Sequence, residues 1–411
     1  MSTRRPRSQP VAVTGMAAVT PAGGTARDLW DAFLAARPTA GPVTRFDTSG
    51  HAVRIGCQAP DLQAPPAVSP KQFRRMDRFA QLALTAALDA VADAGPGDVP
   101  PGRVAVVVGN AVGGRATSDA ESARYAHDGP RAVSPLMPVM TMPNAAAAMI
   151  SIALGSTGPV HTLATTCASG ADAIGYGRAL LAAGIADVVV AGGCEATLTP
   201  VTMAAFAALG ALSGRNDDPA AASRPFDAAR DGFVMGEGAA FVVLEREEDA
   251  RARGARSHGV VLGYGCSSDA HHLTVPHPAG AGAAAAMRMA LADAGVAPAD
   301  VGHVNTHGTS TPLNDAVEAA ALVEVFGTAP PPATALKGVT GHLLAASGVA
   351  EAITTLQAVA AGTVPPVANH TTTDPACPID VVHGTARSVA PAPALSNSFG
   401  FGGHNASLVL R

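Results

Sequence analysis

Short Val-rich apolar runs alternate along this chain with alanine-rich stretches, and no other feature limits its fold as much. The runs Val11–Val13, Val104–Val108, Val188–Ala191, Ala240–Leu244, Val260–Tyr264, Val301–Thr306 and Ala406–Leu410 have the length and side chains of buried strands. The stretches between them have helical spacing. Phe79–Ala94 is one such helix, stopped by Gly95-Pro96, and Ala283–Ala294 is another. Taken alone, this alternation reads as an α/β protein of parallel strands with helices on both faces. Two halves follow, Val11–Glu248 and His258–Arg411, each with a strand that runs into a glycine-rich loop. The expected division is a tail at 1–9, a first half at 10–250 and a second at 251–411. The charged stretch E-R-E-E-D-A-R-A-R-G-A-R is either their connection or a solvated helix end.

At 411 residues, 48% of them hydrophobic and 14% charged, the chain can build a large core, and its low charge suggests surface buried between subunits. A net charge of −5 points away from nucleic acid and from membrane surfaces as general partners. The best apolar run, A-L-L-A-A-G-I-A-D-V-V-V-A-G-G, is interrupted by Asp187 and by glycines, so no membrane span is expected. Cys57, Cys167, Cys194, Cys266 and Cys377 are odd in number and contain no C-x-x-C pair. That pattern suits free thiols in the cytoplasm and offers neither a disulfide framework nor a zinc site.

In H-T-L-A-T-T-C-A-S-G-A-D-A-I-G, Cys167 follows a short strand and opens a helix. The positive end of the helix dipole favours a thiolate there, and the small neighbours Ala168, Ser169 and Gly170 leave room for a substrate carbonyl. A buried structural cysteine is the plainer alternative. His307, in V-N-T-H-G-T-S-T-P-L-N-D, ends a strand in a polar loop, and His342, in L-K-G-V-T-G-H-L-L-A-A-S-G, lies beside Gly341 before an apolar helix. Neutral imidazole N–H groups on two such loops could stabilise negative charge on a thioester oxygen as carbon dioxide leaves. Either histidine alone would pass for a structural one. Lys337 is either the partner of Glu351 on the following helix or a surface lysine with a buried stem. The C-terminal L-S-N-S-F-G-F-G-G-H-N reads as a flexible glycine loop before a strand, with Phe401 free to swing, or else as a tight hairpin with packed phenylalanines.

Nine motifs in order, V-T-G-M-A-A-V-T-P, R-R-M-D-R-F, M-P-N, T-T-C-A-S-G, A-S-R-P-F-D-A-A-R-D-G-F-V-M-G-E-G-A, S-S-D-A-H-H, N-T-H-G-T-S-T-P-L-N-D, K-G-V-T-G-H-L-L and N-S-F-G-F-G-G-H-N, make the chain resemble the elongating β-ketoacyl synthases of fatty-acid and type II polyketide synthesis. The resemblance implies a thiolase-like fold, with two pseudo-repeated halves of layered mixed sheets and helices. It implies Cys167 as the acyl-accepting nucleophile, His307 and His342 as the pair assisting decarboxylation and condensation, and Lys337 and Glu351 as supporting residues. The N–H groups of Cys167 and Phe401 would form the oxyanion hole, with Phe401 gating the malonyl side. Thr309, Thr311 and Thr274 match positions that meet a pantetheine arm, and Val112 and Phe206 match positions at the buried end of the acyl tunnel, unless both are plain core residues. No metal and no cofactor are implied, since the substrates ride on the phosphopantetheine of an acyl carrier protein. A homodimer, or a heterodimer with a second synthase-like subunit, is implied as well.

Two departures stand out. Leu336-Lys337-Gly338 replaces the usual T-K-S, and L-L-A-A-S-G at Leu343–Gly348 replaces L-L-G-A-A-G. A thiolase would need a second reactive cysteine near the C-terminus, and none follows Cys377. A non-catalytic chain-length-factor-like subunit is the alternative from another class, and Cys167 argues against it. Finally, Lys71, Arg74, Arg75 and Arg78 fall at i, i+3, i+4 and i+7, one basic stripe if they share a helix. It is either a solvated face or, as the resemblance implies for Lys71, Arg74 and Arg75, the place that receives the acidic carrier protein.

Overall fold

The computed structural model describes residues 10–411, so the expected tail at 1–9 lies outside the described residues. Ten strands make one sheet: β1 Val11–Val19, β2 Val104–Gly109, β3 Val160–Leu163, β4 Val188–Glu195, β5 Gly238–Arg246, β6 Gly259–Ser268, β7 His303–Asn305, β8 Ala333–Thr334, β9 Ala394–Gly400 and β10 His404–Leu410. Their order is β8–β7–β9–β10–β6–β1–β5–β4–β2–β3. Read outward from the central β1–β6 pair, the first half runs β1, β5, β4, β2, β3 and the second β6, β10, β9, β7, β8. The same order has been built twice.

The pairing is mixed, as the thiolase-like resemblance implies, rather than parallel as the alternation alone suggests. β1 runs antiparallel to β5 and β6, and β10 to β6 and β9, while β4–β2–β3 and β9–β7–β8 are parallel. Extended apolar runs do not encode direction, which is set by the connections. β9 also takes in N-S-F-G, so that stretch is a strand hairpinned to β10 through a turn at Phe401–Gly403, and only the turn remains a loop.

Each half-sheet is buried on both faces. α1 (Arg78–Ala94) covers the outer face of the first half and α2 (Ser169–Ala182) the inner one; α3 (Ala281–Ala294) and α4 (Ser347–Ala361) do the same for the second. The strand period of two separates the cores. In β4, Val189 and Ala191 face the central helices while Val188 and Val190 face α1, and in β5 Ala240, Val242 and Leu244 alternate with Ala239, Phe241 and Val243. The two outer helices sit equally close to their sheets. A Cβ on Gly15 would meet Ala90 O at 2.1 Å, and one on Gly263 would meet Ala290 O at 2.3 Å. Among the described residues one stretch, Leu344–Ala361, is long and apolar enough to cross a membrane, and it is 78% buried as α4 and its leading turn.

The basic stripe does not form on one helix. Ser69 caps a short helix at Pro70–Phe73, and Asp77 caps α1 afresh, accepting from Phe79 N–H, so Lys71 and Arg78 belong to different helices. Arg78 turns inward, forking onto both oxygens of buried Glu237 at 2.9 Å. Lys71, Arg74 and Arg75 remain exposed, with no ion-pair partner among the described residues.

Candidate active site

The central helices α2 and α4 begin side by side, and the candidate site lies at their starts. Cys167 occupies a 3-10 turn at Thr166–Ala168 that runs into α2. Thr166 holds this turn in the left-handed region, with φ of 50°, and its hydroxyl donates to Phe401 O at 2.8 Å, tying the turn to the β9–β10 hairpin. His342 follows Gly341, whose φ of 63° lets the chain double back; a Cβ there would stand 2.7 Å from Val234 O. His307 follows β7. The three side chains converge, with His342 Nε2 3.0 Å from Cys167 Sγ, the two imidazoles 5.4 Å apart, and a ligating atom of each of the three within 4.8 Å of the others.

The tautomers follow from the partners. Lys337 Nζ lies 3.2 Å from His307 Nδ1 and donates to His307 O at 2.6 Å, and an ammonium has only protons to give. Leu344 N–H points at His342 Nδ1 at 3.3 Å, and a backbone amide likewise only donates. Both Nδ1 atoms therefore accept, and both neutral rings carry their proton on Nε2. Burial, then Lys337 and His342, hold His307 well below its ordinary 6.5; burial and Lys337 do the same to His342. The site thus holds neutral donors. A metal bound by Cys167, His307 and His342 would need the Nε2 lone pairs that this arrangement protonates, so the chemistry of the donor set does not favour one.

Lys337 is buried, paired with Glu351, and so is an internal strut rather than a surface lysine. Burial raises Glu351 to about 7 while Lys337 pulls it down. Gly338, where the resemblance implies a serine, has a Cβ position 3.2 Å from Ala368, which leaves a side chain little space. Glu318 went unnoticed in the sequence. Its carboxylate accepts from the amides of His307 at 2.7 Å and Gly308 at 2.8 Å and fixes the histidine loop, and burial lifts it to about 7. A lone acid among the apolar residues of A-V-E-A-A-A-L was its only sequence signal. Glu195 does the same for the matching loop after β2, accepting from Ala111 N–H at 3.0 Å and from Asn110 Nδ2 at 3.1 Å.

Burial works against the expected thiolate. Burial pushes the Cys167 thiol up to about 12, against the opposing pull of Lys337 and of a hydrogen bond from Phe401 N–H. The Phe401 N–H thus faces the sulfur. A cavity of about 430 Å³ opens onto Cys167, His307 and His342, and Phe206, Thr274, Thr309, Thr311, Phe401 and Val112 all line it. Thr309 and Thr311 share a hydroxyl hydrogen bond of 2.8 Å at the start of the Pro312–Phe326 helix. Phe206 stacks on Phe401 at 6.4 Å and meets Phe233 edge-on at 5.7 Å. Val112 is 40% exposed, so in the single chain it sits at an open side of the cavity rather than at a buried end.

Known proteins resemble this chain along nearly its whole length. The family model "Beta-ketoacyl synthase, N-terminal domain" matches residues 8–250 and "Beta-ketoacyl synthase, C-terminal domain" matches residues 258–371. The chain is 42% identical to the 3-oxoacyl-[acyl-carrier-protein] synthase 2 of Synechocystis sp. over 98% of this chain and 97% of that one. It superposes on the ishigamide ketosynthase/chain length factor with a TM-score of 0.91 at 34% identity, covering 98% of this chain and 99% of the other. A type II PKS acyl-carrier protein in complex with its ketosynthase bound to the hexaketide gives 0.90 at 29% identity, with the same coverage.

Proposed function

The chain belongs to the β-ketoacyl synthase family, and we propose that it joins an acyl group held on Cys167 to a decarboxylating malonyl unit delivered on an acyl carrier protein. The observation that carries these residue roles is the convergence of one thiol with two imidazoles whose Nδ1 atoms are both occupied.

In the first half-reaction Cys167 Sγ attacks the acyl thioester carbonyl, and the carrier sulfur leaves with the thiol proton. The resting proton on Cys167 has to move in this step, because burial keeps the side chain a thiol. The N–H groups of Cys167 and Phe401 serve the oxyanion. In the second, the malonyl carboxylate departs as carbon dioxide, and the electron pair stays on the thioester as an enolate. The Nε2–H groups of His307 and His342 donate to its oxygen. The enolate carbon attacks the acyl-Cys167 carbonyl, a carbon–carbon bond forms, and Cys167 leaves as thiolate and takes up a proton. Lys337 and Glu318 touch no reacting atom; they hold His307.

Thr309, Thr311 and Thr274 receive the pantetheine arm, while Val112 and Phe206 border the acyl chain; their place on one cavity with Cys167 supports this. Lys71, Arg74 and Arg75, exposed and without an ion pair among the described residues, receive the carrier protein. The dimer forms at the open edge of β3, where Val160 is 38%, Tyr176 36% and the neighbouring Ile152 71% exposed, apolar surface that a second subunit would cover. A cytoplasmic setting fits five free cysteines.

Mass spectrometry of Cys167 after incubation with carrier proteins bearing different acyl chains tests the assignment. An acyl adduct on Cys167, discharged by malonyl-carrier protein, is expected. Acylation elsewhere, or condensation without an adduct, would overturn it.

A further inference from the structure

His342 Nδ1 receives two donors where one would fix its tautomer. Besides Leu344 N–H at 3.3 Å, Ser347 Oγ lies 3.0 Å away. Ser347 is the first residue of α4 and is 2% exposed. With the amide already donating to it, Nδ1 can only accept, so the hydroxyl also donates. This serine lies in L-L-A-A-S-G, where the resemblance implies an alanine, and its hydroxyl is aimed at the imidazole.

We propose that Ser347 is a positioning residue that locks His342 in the neutral tautomer with its proton on Nε2, facing Cys167. The inference rests on the role given above to His342. The amide alone is a weak lock. Its contact is the longer of the two, and Leu344 sits at φ of 50°, a strained conformation for a residue with a side chain, so its aim depends on a turn that resists adjustment. A hydroxyl rotates to suit its acceptor. Each donor on Nδ1 disfavours both the Nδ1–H tautomer and the imidazolium, since either would set a proton against a proton. Lys337 works in the same direction through its charge, and the other groups facing the ring are the Cys167 thiol, His307 at 5.4 Å and the edge of Phe233 at 5.4 Å.

The experiment compares the full-length enzyme with Ser347→Ala and His342→Ala, following ¹⁵N-labelled histidine by NMR and malonyl-carrier decarboxylation against pH. Alanine removes only the hydroxyl, and a melting curve checks that the variant is folded. In the unmodified enzyme His342 shows an accepting Nδ1 and a protonated Nε2. In Ser347→Ala the signals move toward a mixture of tautomers, the ring titrates at higher pH, the acid limb of decarboxylation moves up with it, and the rate at neutral pH falls about 5-fold, as for loss of one neutral hydrogen bond. Unmoved signals and an unmoved acid limb in folded Ser347→Ala would overturn the role of Ser347. Decarboxylation retained in His342→Ala would instead overturn the reading of His342 on which it rests.

Discussion

Thr165-Thr166-Cys167-Ala168-Ser169-Gly170 and Leu343-Leu344-Ala345-Ala346-Ser347-Gly348 occupy matching places in the two halves. Each is a 3-10 turn leading into a buried central helix, and each holds its second residue at φ of 50°. Each carries a glycine pressed against the other segment: a Cβ on Gly170 would meet Ala345 O at 2.5 Å, and one on Gly348 would meet Ala171 N at 2.8 Å. The backbones solve one problem twice, while the side chains diverge. In the first turn Ser169 is tied to its own backbone, accepting from Thr165 N–H at 2.9 Å and donating to Thr166 O at 2.7 Å, and Cys167 is presented. In the second, alanine stands in the place of the thiol and Ser347 reaches the ring of His342. The repeated topology supplies the scaffold, and the chemistry lies in where the two turns differ.

Making the turns alike gives the largest effect. Cys167→Ala gives the first turn the residue of the second and removes the only atom able to hold the acyl group. Condensation should fall by ~10³-fold or more, since nothing else in the site replaces the nucleophile. Malonyl decarboxylation should persist, because His307, His342 and Lys337 all belong to the other half. Product analysis of both reactions decides it, and retained condensation would end the distinction between the halves.

Gly170→Ala and Gly348→Ala ask how tightly the copies are pressed together. Both insert a methyl group into contacts under 3 Å and should destabilise by about 1–3 kcal/mol in thermal or denaturant unfolding. Gly170→Ala should cost more, because the backbone atom it meets, Ala345 O, is 2.5 Å away, whereas the one that Gly348→Ala meets, Ala171 N, is 2.8 Å away. The reverse order would mean that the second turn is the more rigid.

The halves should also part company with pH. Acylation requires a thiol held up near 12 to give up its proton, so its rate should climb through the neutral range. Decarboxylation requires neutral imidazoles. Because both are held well below 6.5, its rate should stay level from neutral pH downward and fall only well below 6.5. Separate single-turnover profiles test this, and a shared acid limb near 6.5 would show that neither histidine is held neutral by burial.

What the sequence conveyed, and what it withheld, divides on the same physical line. Cys167, His307 and His342 were legible because each sits where a strand or turn ends in small or polar residues, a local pattern. The charge state of Cys167 was not, since burial decides it and no neighbour in sequence reports burial. Glu318 reaches His307 from a helix turn eleven residues on, a pairing that only the folded loop creates. The β9 strand was hidden by its polar residues and the glycine at its end, and exists because β7 and β10 supply its hydrogen bonds on both sides. The break at Lys71–Arg78, by contrast, could have been read. S-P-K-Q and D-R-F each hold a capping residue, and two helix starts eight residues apart cannot be one helix.

That break shapes the smallest effect expected, at a surface remote from either turn. With Arg78 committed to Glu237, Lys71, Arg74 and Arg75 are what remains of the stripe proposed to meet the carrier protein, and the cluster is a loose group on a short helix and its exit rather than a continuous stripe. Exposed charges act mainly on the encounter rate and are screened by salt. Arg74→Glu with Arg75→Glu should therefore slow acylation by a carrier-bound substrate roughly 3–10-fold at low salt, with the difference shrinking as salt is added. Reaction with a small soluble thioester should be spared, since neither arginine touches the cavity. Arg78→Ala separates the two kinds of arginine: it leaves Glu237 with Arg45 as its remaining ion-pair partner and should lower the melting temperature without a salt-dependent rate effect. If Arg78→Ala gave the salt-dependent loss and the double reversal did not, the carrier would be meeting the start of α1 instead.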